Sequence, residues 1–238
     1  MTTPVARQTM SRHALAVAVA VATLVAVNLV AWAGPRHSVI VVGPLSAAAL
    51  VVLARRAGLS WAELGLGRRG LRAGAVAGAA AVAIVAVGYL AAAALPATRT
   101  AFLDERYQLS VGAAALTAFV IIPLATVLPE EIAFRGVLWG LVARACGPVW
   151  ATGTTSALFG LWHVLPSLRL HQANAAVATV TGGGRAAAVV GAVLFTGLAG
   201  VVLAELRRRT GSLLAPIGLH WATNGLGVLM TAALGGRS

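Results

Sequence analysis

Cysteine is almost missing from this chain, and lysine is missing altogether. A single Cys146 excludes an intramolecular disulfide and any zinc cluster built on cysteines. Acids are scarce as well: six Asp and Glu stand against eighteen basic side chains, every one of them Arg, for a net charge of +12. Charge of either sign is thin, at 10% of 238 residues against 59% hydrophobic, with a mean hydropathy of +0.89. Soluble domains are about 25% charged and about 45–50% apolar, so this composition argues against one. A pI near 11.9 does not imply nucleic-acid binding, which needs a clustered basic face with polar or aromatic readers. Here the Arg residues punctuate apolar runs, as positive loops do between membrane spans. The chain reads as a polytopic membrane protein with lipid, not nucleic acid, as its surroundings.

Eight apolar runs follow one another, over residues 14–33, 38–54, 73–95, 111–128, 132–145, 149–165, 186–206 and 213–234. Ala31-Trp32-Ala33 imitates a signal-peptidase site, but a cleaved signal has an apolar core of about 7–15 residues. The first run is longer and is read as a retained span. None of the runs alternates with period two, so barrel strands are rejected in favour of helices. The expected fold is all-α, a transmembrane bundle of about eight spans, with residues 1–110 as N-terminal helices plus an Arg-rich connector and residues 111–235 as a core, together one membrane domain. Arg55, Arg56, Arg68, Arg69 and Arg72 place that connector in the cytoplasm. Counting eight crossings from a cytoplasmic N-terminus then puts Arg207-Arg208-Arg209 outside, against the same tendency. Either one run does not cross fully or the triplet is an exception.

Of the six acids, Glu63, Asp104, Glu105 and Glu205 lie in connectors or at the end of a run, within reach of water. Glu130 and Glu131 have apolar sequence on both sides, where a charge costs roughly 2.5–3.5 kcal/mol and usually marks function. Pro129-Glu130-Glu131 is also a good helix start. Arg135 weighs against a mere cap: four residues after Glu131, it shares a helix face with it and can pair. Glu130 is turned about 100° away and is free to address something else. His163 and His220 also lie in apolar sequence, with Asn224 one turn beyond His220 on the same face. Each His alone has a plain reading as an anchor or interhelical hydrogen bond. His13, His37 and His171 are read as solvated, and Asn28 as interhelical glue. A carboxylate beside a His can take a proton from water, and a His and an Asn can stabilise an oxyanion. The same Glu and two His could hold zinc with an open position; no H-E-x-x-H is present, and the residues leave metal open.

Glu130-Glu131-x-x-x-Arg135, Phe159-x-x-x-His163 and His220-x-x-x-Asn224 resemble, in order and spacing, the three motifs of the CPBP intramembrane proteases. These are the CAAX prenyl endopeptidases and their bacterial relatives associated with bacteriocin processing and immunity. The resemblance covers residues 111–234, and Phe134-Arg135-Gly136 and the Arg209-to-Pro216 phrase agree with it. It implies a polar, water-filled chamber within the membrane and an intramembrane endopeptidase. In that chamber Glu130, with His163, would activate water, and His220 and Asn224 would stabilise the oxyanion. Glu131 and Arg135 would be structural partners, and Phe159 would pack the chamber wall. The family is often labelled metalloprotease, while eukaryotic-type members are described as glutamate-dependent. The glutamate mechanism without a metal is preferred, with zinc on Glu130, His163 and His220 as the alternative.

The expected substrate is a peptide or a membrane-protein terminus near the bilayer surface. A non-catalytic scaffold or immunity-type binder is the second reading, and a proton-relaying transporter the third. Transporters commonly show paired repeats, and none is visible here. The all-Arg, Ala-rich composition points to a high-GC bacterial source, and hence to a multi-pass protein of the bacterial inner membrane.

Overall fold

Lipid offers the backbone no hydrogen-bond partners, so apolar runs of this length close their own bonds as helices. The computed structural model describes residues 4–35 and 38–235, with side chains from His13 onward; His37 lies outside the described residues. Its long helices are α1 (Pro4–Ala33), α2 (Ser38–Arg56), α3 (Leu71–Ala94), α4 (Val111–Cys146), α5 (Pro148–Trp162), α6 (Arg185–Thr210) and α7 (residues 214–235). Short helices at Val164–Ser167, Leu170–Ala173 and Ala175–Val180 link α5 to α6, and no β-strand occurs among the described residues. Five helices, α1, α2, α3, α4 and α6, are long and apolar enough to cross a membrane. Their outer faces are unpartnered apolar side chains such as Ile84, Val87, Phe195 and Leu198, each about 70% exposed. This is an integral membrane protein.

The main departure from the sequence reading is at Pro129. The fourth and fifth apolar runs are one continuous helix of 36 residues, α4. Proline inside a helix lacks an N–H and clashes with the carbonyl four residues back. Here the helix widens to i→i−5 bonding around its prolines, over Thr117–Ile121, Pro123–Val127 and Ile132–Leu138. Leu128 N–H, for example, reaches back to the Pro123 carbonyl. The wider turn removes the clash and carries the helix through.

That fusion removes one crossing and with it the conflict over Arg207-Arg208-Arg209. Arg144, near the end of α4, bonds Glu63 of the connector at 3.0 Å through Nε. Arg207 donates to the Glu63 carbonyl, and Leu213 N–H to the Gly65 carbonyl at 2.9 Å. Arg55, Arg56, Arg68, Arg69, Arg72, Arg144 and the triplet therefore all sit at one end of the bundle, as the positive-inside tendency requires. The connector itself is ordered by a reciprocal cap: Ser60 N–H bonds Glu63 Oε2 at 2.8 Å, and Glu63 N–H bonds Ser60 Oγ at 3.2 Å. At the opposite end Asn174 Nδ2 bonds the Ala101 carbonyl at 3.0 Å. There Asp104 sits in an ion pair with Arg106 at 2.7 Å, which holds its carboxyl below the usual range despite partial burial.

Without a hydrophobic drive between helices, close approach comes from small residues. Gly160 of α5 faces the backbone of α6, where an added Cβ would lie 2.7 Å from the Val193 carbonyl oxygen. Gly218 of α7 meets Gly78 of α3 as closely, at 2.8 Å. Gly160→Ala is therefore expected to destabilise by about 1–3 kcal/mol through overpacking. Gly153→Ala on the same helix, with nothing within 4 Å, should stabilise by up to about 1 kcal/mol through helix propensity. Thermal unfolding of both variants in detergent checks the opposite signs.

Arg144 holds the Glu63 carboxyl at a pKa of about 2, below its ordinary 4.5. A depressed acid stabilises the fold above the unfolded value and loses that contribution as pH falls through the folded one. Glu63→Gln should therefore cost about 0.2–1 kcal/mol at neutral pH, small because the pair is partly exposed. The difference from the parent should shrink below pH 4.5 and close near pH 2, measured as unfolding midpoint against pH.

Candidate active site

The site is built where α4, α5 and α7 meet. Glu131, with no exposure, forms the expected pair with Arg135 one turn on, Nη1 to Oε1 at 2.9 Å. The same Oε1 receives His220 Nδ1 from α7 at 2.8 Å. A carboxylate that already accepts from a guanidinium can only accept again, so His220 donates from Nδ1 and its Nε2 carries the lone pair. That Nε2 faces Glu130 Oε2 at 3.9 Å. The other Glu130 oxygen, Oε1, receives the Trp162 indole N–H at 3.0 Å. Glu130 is thus not free of partners: its nearest neighbours come from α5 and α7.

His163 closes α5. Its Nδ1 lies 2.8 Å from the Phe159 carbonyl, an acceptor, so here too the ring donates from Nδ1 and leaves Nε2 bare. Phe159, 2% exposed, joins the parts. The Arg135 guanidinium lies 3.9 Å above its ring, and its edge contacts reach His163 at 4.7 Å and His220 at 5.9 Å between centroids. Among the described residues no hydrogen bond joins His163 to Glu130. Asn224 lies half-buried in a widened turn, Ala222–Leu226, and no hydrogen bond among the described residues involves its side chain. Its turn is held in place where Tyr89 of α3 bonds the Thr223 carbonyl at 2.9 Å.

Three polar atoms in this cluster are buried with no hydrogen-bond partner among the described residues: Glu130 Oε2, Glu131 Oε2 and Arg135 Nη2. Buried polar groups are normally satisfied by protein or water, so orphans concentrated in one place mark room for water or a substrate group. The donor chemistry, two His with bare Nε2 and one orphan carboxylate oxygen, is that of a zinc set. As placed, however, no group of three His, Cys, Asp or Glu side chains among the described residues can hold a metal.

Residues 112–226 match the family model described as type II CAAX prenyl endopeptidase, Rce1-like. Over this segment, just under half of the chain, the sequence is similar to that family. The Rce1-like segment begins at the start of α4 and contains Glu130, Glu131, Arg135, Phe159, Trp162, His163, His220 and Asn224. The match supports a CAAX-protease-type peptidase within an integral membrane protein. Neither a curated protein nor a solved structure matches the chain.

Two residues of the Rce1-like site escaped the sequence reading. Trp162 sits in an apolar stretch and looks like packing, yet it holds Glu130. Arg207 looks like one of three solvated loop charges. In fact it is 5% exposed, lies 4.0 Å over the Trp139 ring, and donates from Nε to the Arg135 carbonyl at 3.0 Å, inside the widened turn that carries the ion pair. Asn28, read as glue, bonds the Trp162 carbonyl at 2.9 Å. His171, read as solvated, is half-buried.

Removing one partner of a buried ion pair strands the other charge, at a cost of roughly 3–5 kcal/mol. Arg135→Ala should lower the thermal midpoint by about 10 °C, at roughly 2–4 °C per kcal/mol for a chain of this size. Arg135→Lys should recover part of the loss, since it restores the charge but not the planar stack on Phe159.

Proposed function

We propose that the protein is an intramembrane endopeptidase in which Glu130 activates water for attack on a peptide bond. The supporting observation is the orphan Glu130 Oε2 opposite the bare His220 Nε2. A water seated between them would hydrogen-bond to both. Glu130 takes a proton from this water as its oxygen attacks. The water oxygen bonds to the carbonyl carbon. The C–N bond then breaks, and Glu130 returns the proton to the leaving nitrogen. Asn224 supplies an amide donor to the developing oxyanion. A neutral His220 has no donor to spare for that task, so we assign it beside Glu130 instead, and keep it for the oxyanion only when protonated. His163 lines the site, its bare Nε2 available to the substrate or a second water. Glu131, Arg135 and Phe159 orient His220 and support the floor.

The substrate proposed is a membrane-associated peptide or protein terminus, and the setting a bacterial inner membrane with the Arg-rich end in the cytoplasm. The test is peptide cleavage by purified protein with and without a strong chelator, beside metal analysis. Glu130→Gln keeps the size and the Trp162 acceptor, and should cut kcat by about 10²–10⁴-fold with an unfolding midpoint close to the parent's. Cleavage retained by that variant would remove Glu130 as the base. Activity lost to chelator and restored by zinc would replace this mechanism with a metal-dependent one.

A further inference from the structure

At the end of the bundle away from the Arg-rich connector, a cavity of about 490 Å³ opens between the end of α1 and the start of α6. It is lined by Trp32, Leu168, Arg169, His171, Gln172 and Arg185. Arg169 stacks on the Trp32 ring at 5.3 Å. No carboxylate pairs with Arg169 or Arg185 among the described residues, and the nearby Asp104 is committed to Arg106. Buried beside them, His171 Nδ1 has no hydrogen-bond partner among the described residues. Arg185 also opens the 26-residue helix α6, whose N-cap Gly184 supplies no side-chain cap. The N-terminus of α6, with the positive end of its dipole, therefore lies beside the same space.

Arg169 and Arg185 both line this space as exposed cations, and among the described residues neither is committed to a carboxylate, so both are open to an anion from outside the chain. The position of the cavity says what brings it. Leu29, Val30 and Trp32 on the last turns of α1 are 39–52% exposed apolar side chains, so the cavity opens beside a lipid-facing surface at the level where Trp anchors to the interface. The guanidinium planes suit phosphate, and Trp32 and Leu168 form an apolar flank fit for a glycerol backbone.

We propose that this cavity binds the phosphate headgroup of an anionic phospholipid from the leaflet opposite the Arg-rich end. The site is a short step from the candidate active site: Trp32 lies one helical turn after Asn28, which holds the Trp162 carbonyl. The inference does not depend on the peptidase reading.

The test uses the full chain purified in neutral detergent, with thermal midpoints read after adding phosphatidylglycerol, phosphatidylcholine or inorganic phosphate. Phosphatidylglycerol should raise the midpoint by about 3 °C or more beyond phosphatidylcholine. Arg169→Gln/Arg185→Gln should lose at least half of that rise, while Arg68→Gln/Arg69→Gln at the other end should keep it. If the double variant does not fold, each single variant should show a partial loss. An equal rise in the parent and the cavity variants would overturn the proposal. So would an equal rise with inorganic phosphate, by assigning the site to the free ion.

Discussion

One oxygen atom, Glu131 Oε1, organises the interior of this bundle. It accepts from Arg135 on its own helix and from His220 on α7, and the residue that carries it has no exposed surface. The pair fixes which nitrogen of His220 carries hydrogen, and so which one faces Glu130. It also places the guanidinium against Phe159, the ring that touches both histidines. A buried ion pair is no guarantee of net stability, because the desolvation of both partners must first be offset. Its value here is directional, since each group has one arrangement that leaves no stranded charge.

The shell around that pair is drawn from the whole chain and not from the Rce1-like segment alone. Asn28 of α1 holds Trp162, which holds Glu130. Tyr89 of α3 holds the turn that carries Asn224. On the Arg-rich side, Arg207 links the connector to the widened turn of α4 through two carbonyl oxygens. π-type turns leave carbonyls poorly served and are often found at functional sites; here a buried cation fills one such place. The glycine contacts of α5 with α6 and of α3 with α7 bring these backbones near enough for the contacts to form.

Much of this was legible from residues. Apolar runs announced helices, and the four-residue spacing of Glu131 and Arg135 announced their pair. His220 and Asn224 could be set on one face. The boundary at Pro129 was misjudged because a local rule, proline ends a helix, was overridden by bonding that widens the helix instead. Trp162 was invisible as a partner because an indole N–H in an apolar run looks like packing until a carboxylate is placed beside it. Arg207 was hidden among three consecutive arginines: successive residues are turned about 100° from one another, and only the neighbouring helix decides which one faces inward. The link from His163 to Glu130 rests on family likeness; in the structure His163 Nδ1 bonds the Phe159 carbonyl.

The four-residue separation of Glu131 and Arg135 also bears on how the chain is made. His220 is separated from Glu131 by 89 positions, so α4 is synthesised and meets the bilayer long before α7 exists. A span carrying three bare charges away from its ends would be a poor candidate for insertion, at roughly 2.5–3.5 kcal/mol for each. By closing a contact within its own length, the nascent helix enters lipid with two of those charges already compensated. Only Glu130 then waits for partners, which Trp162 of α5 and His220 of α7 later bring beside it.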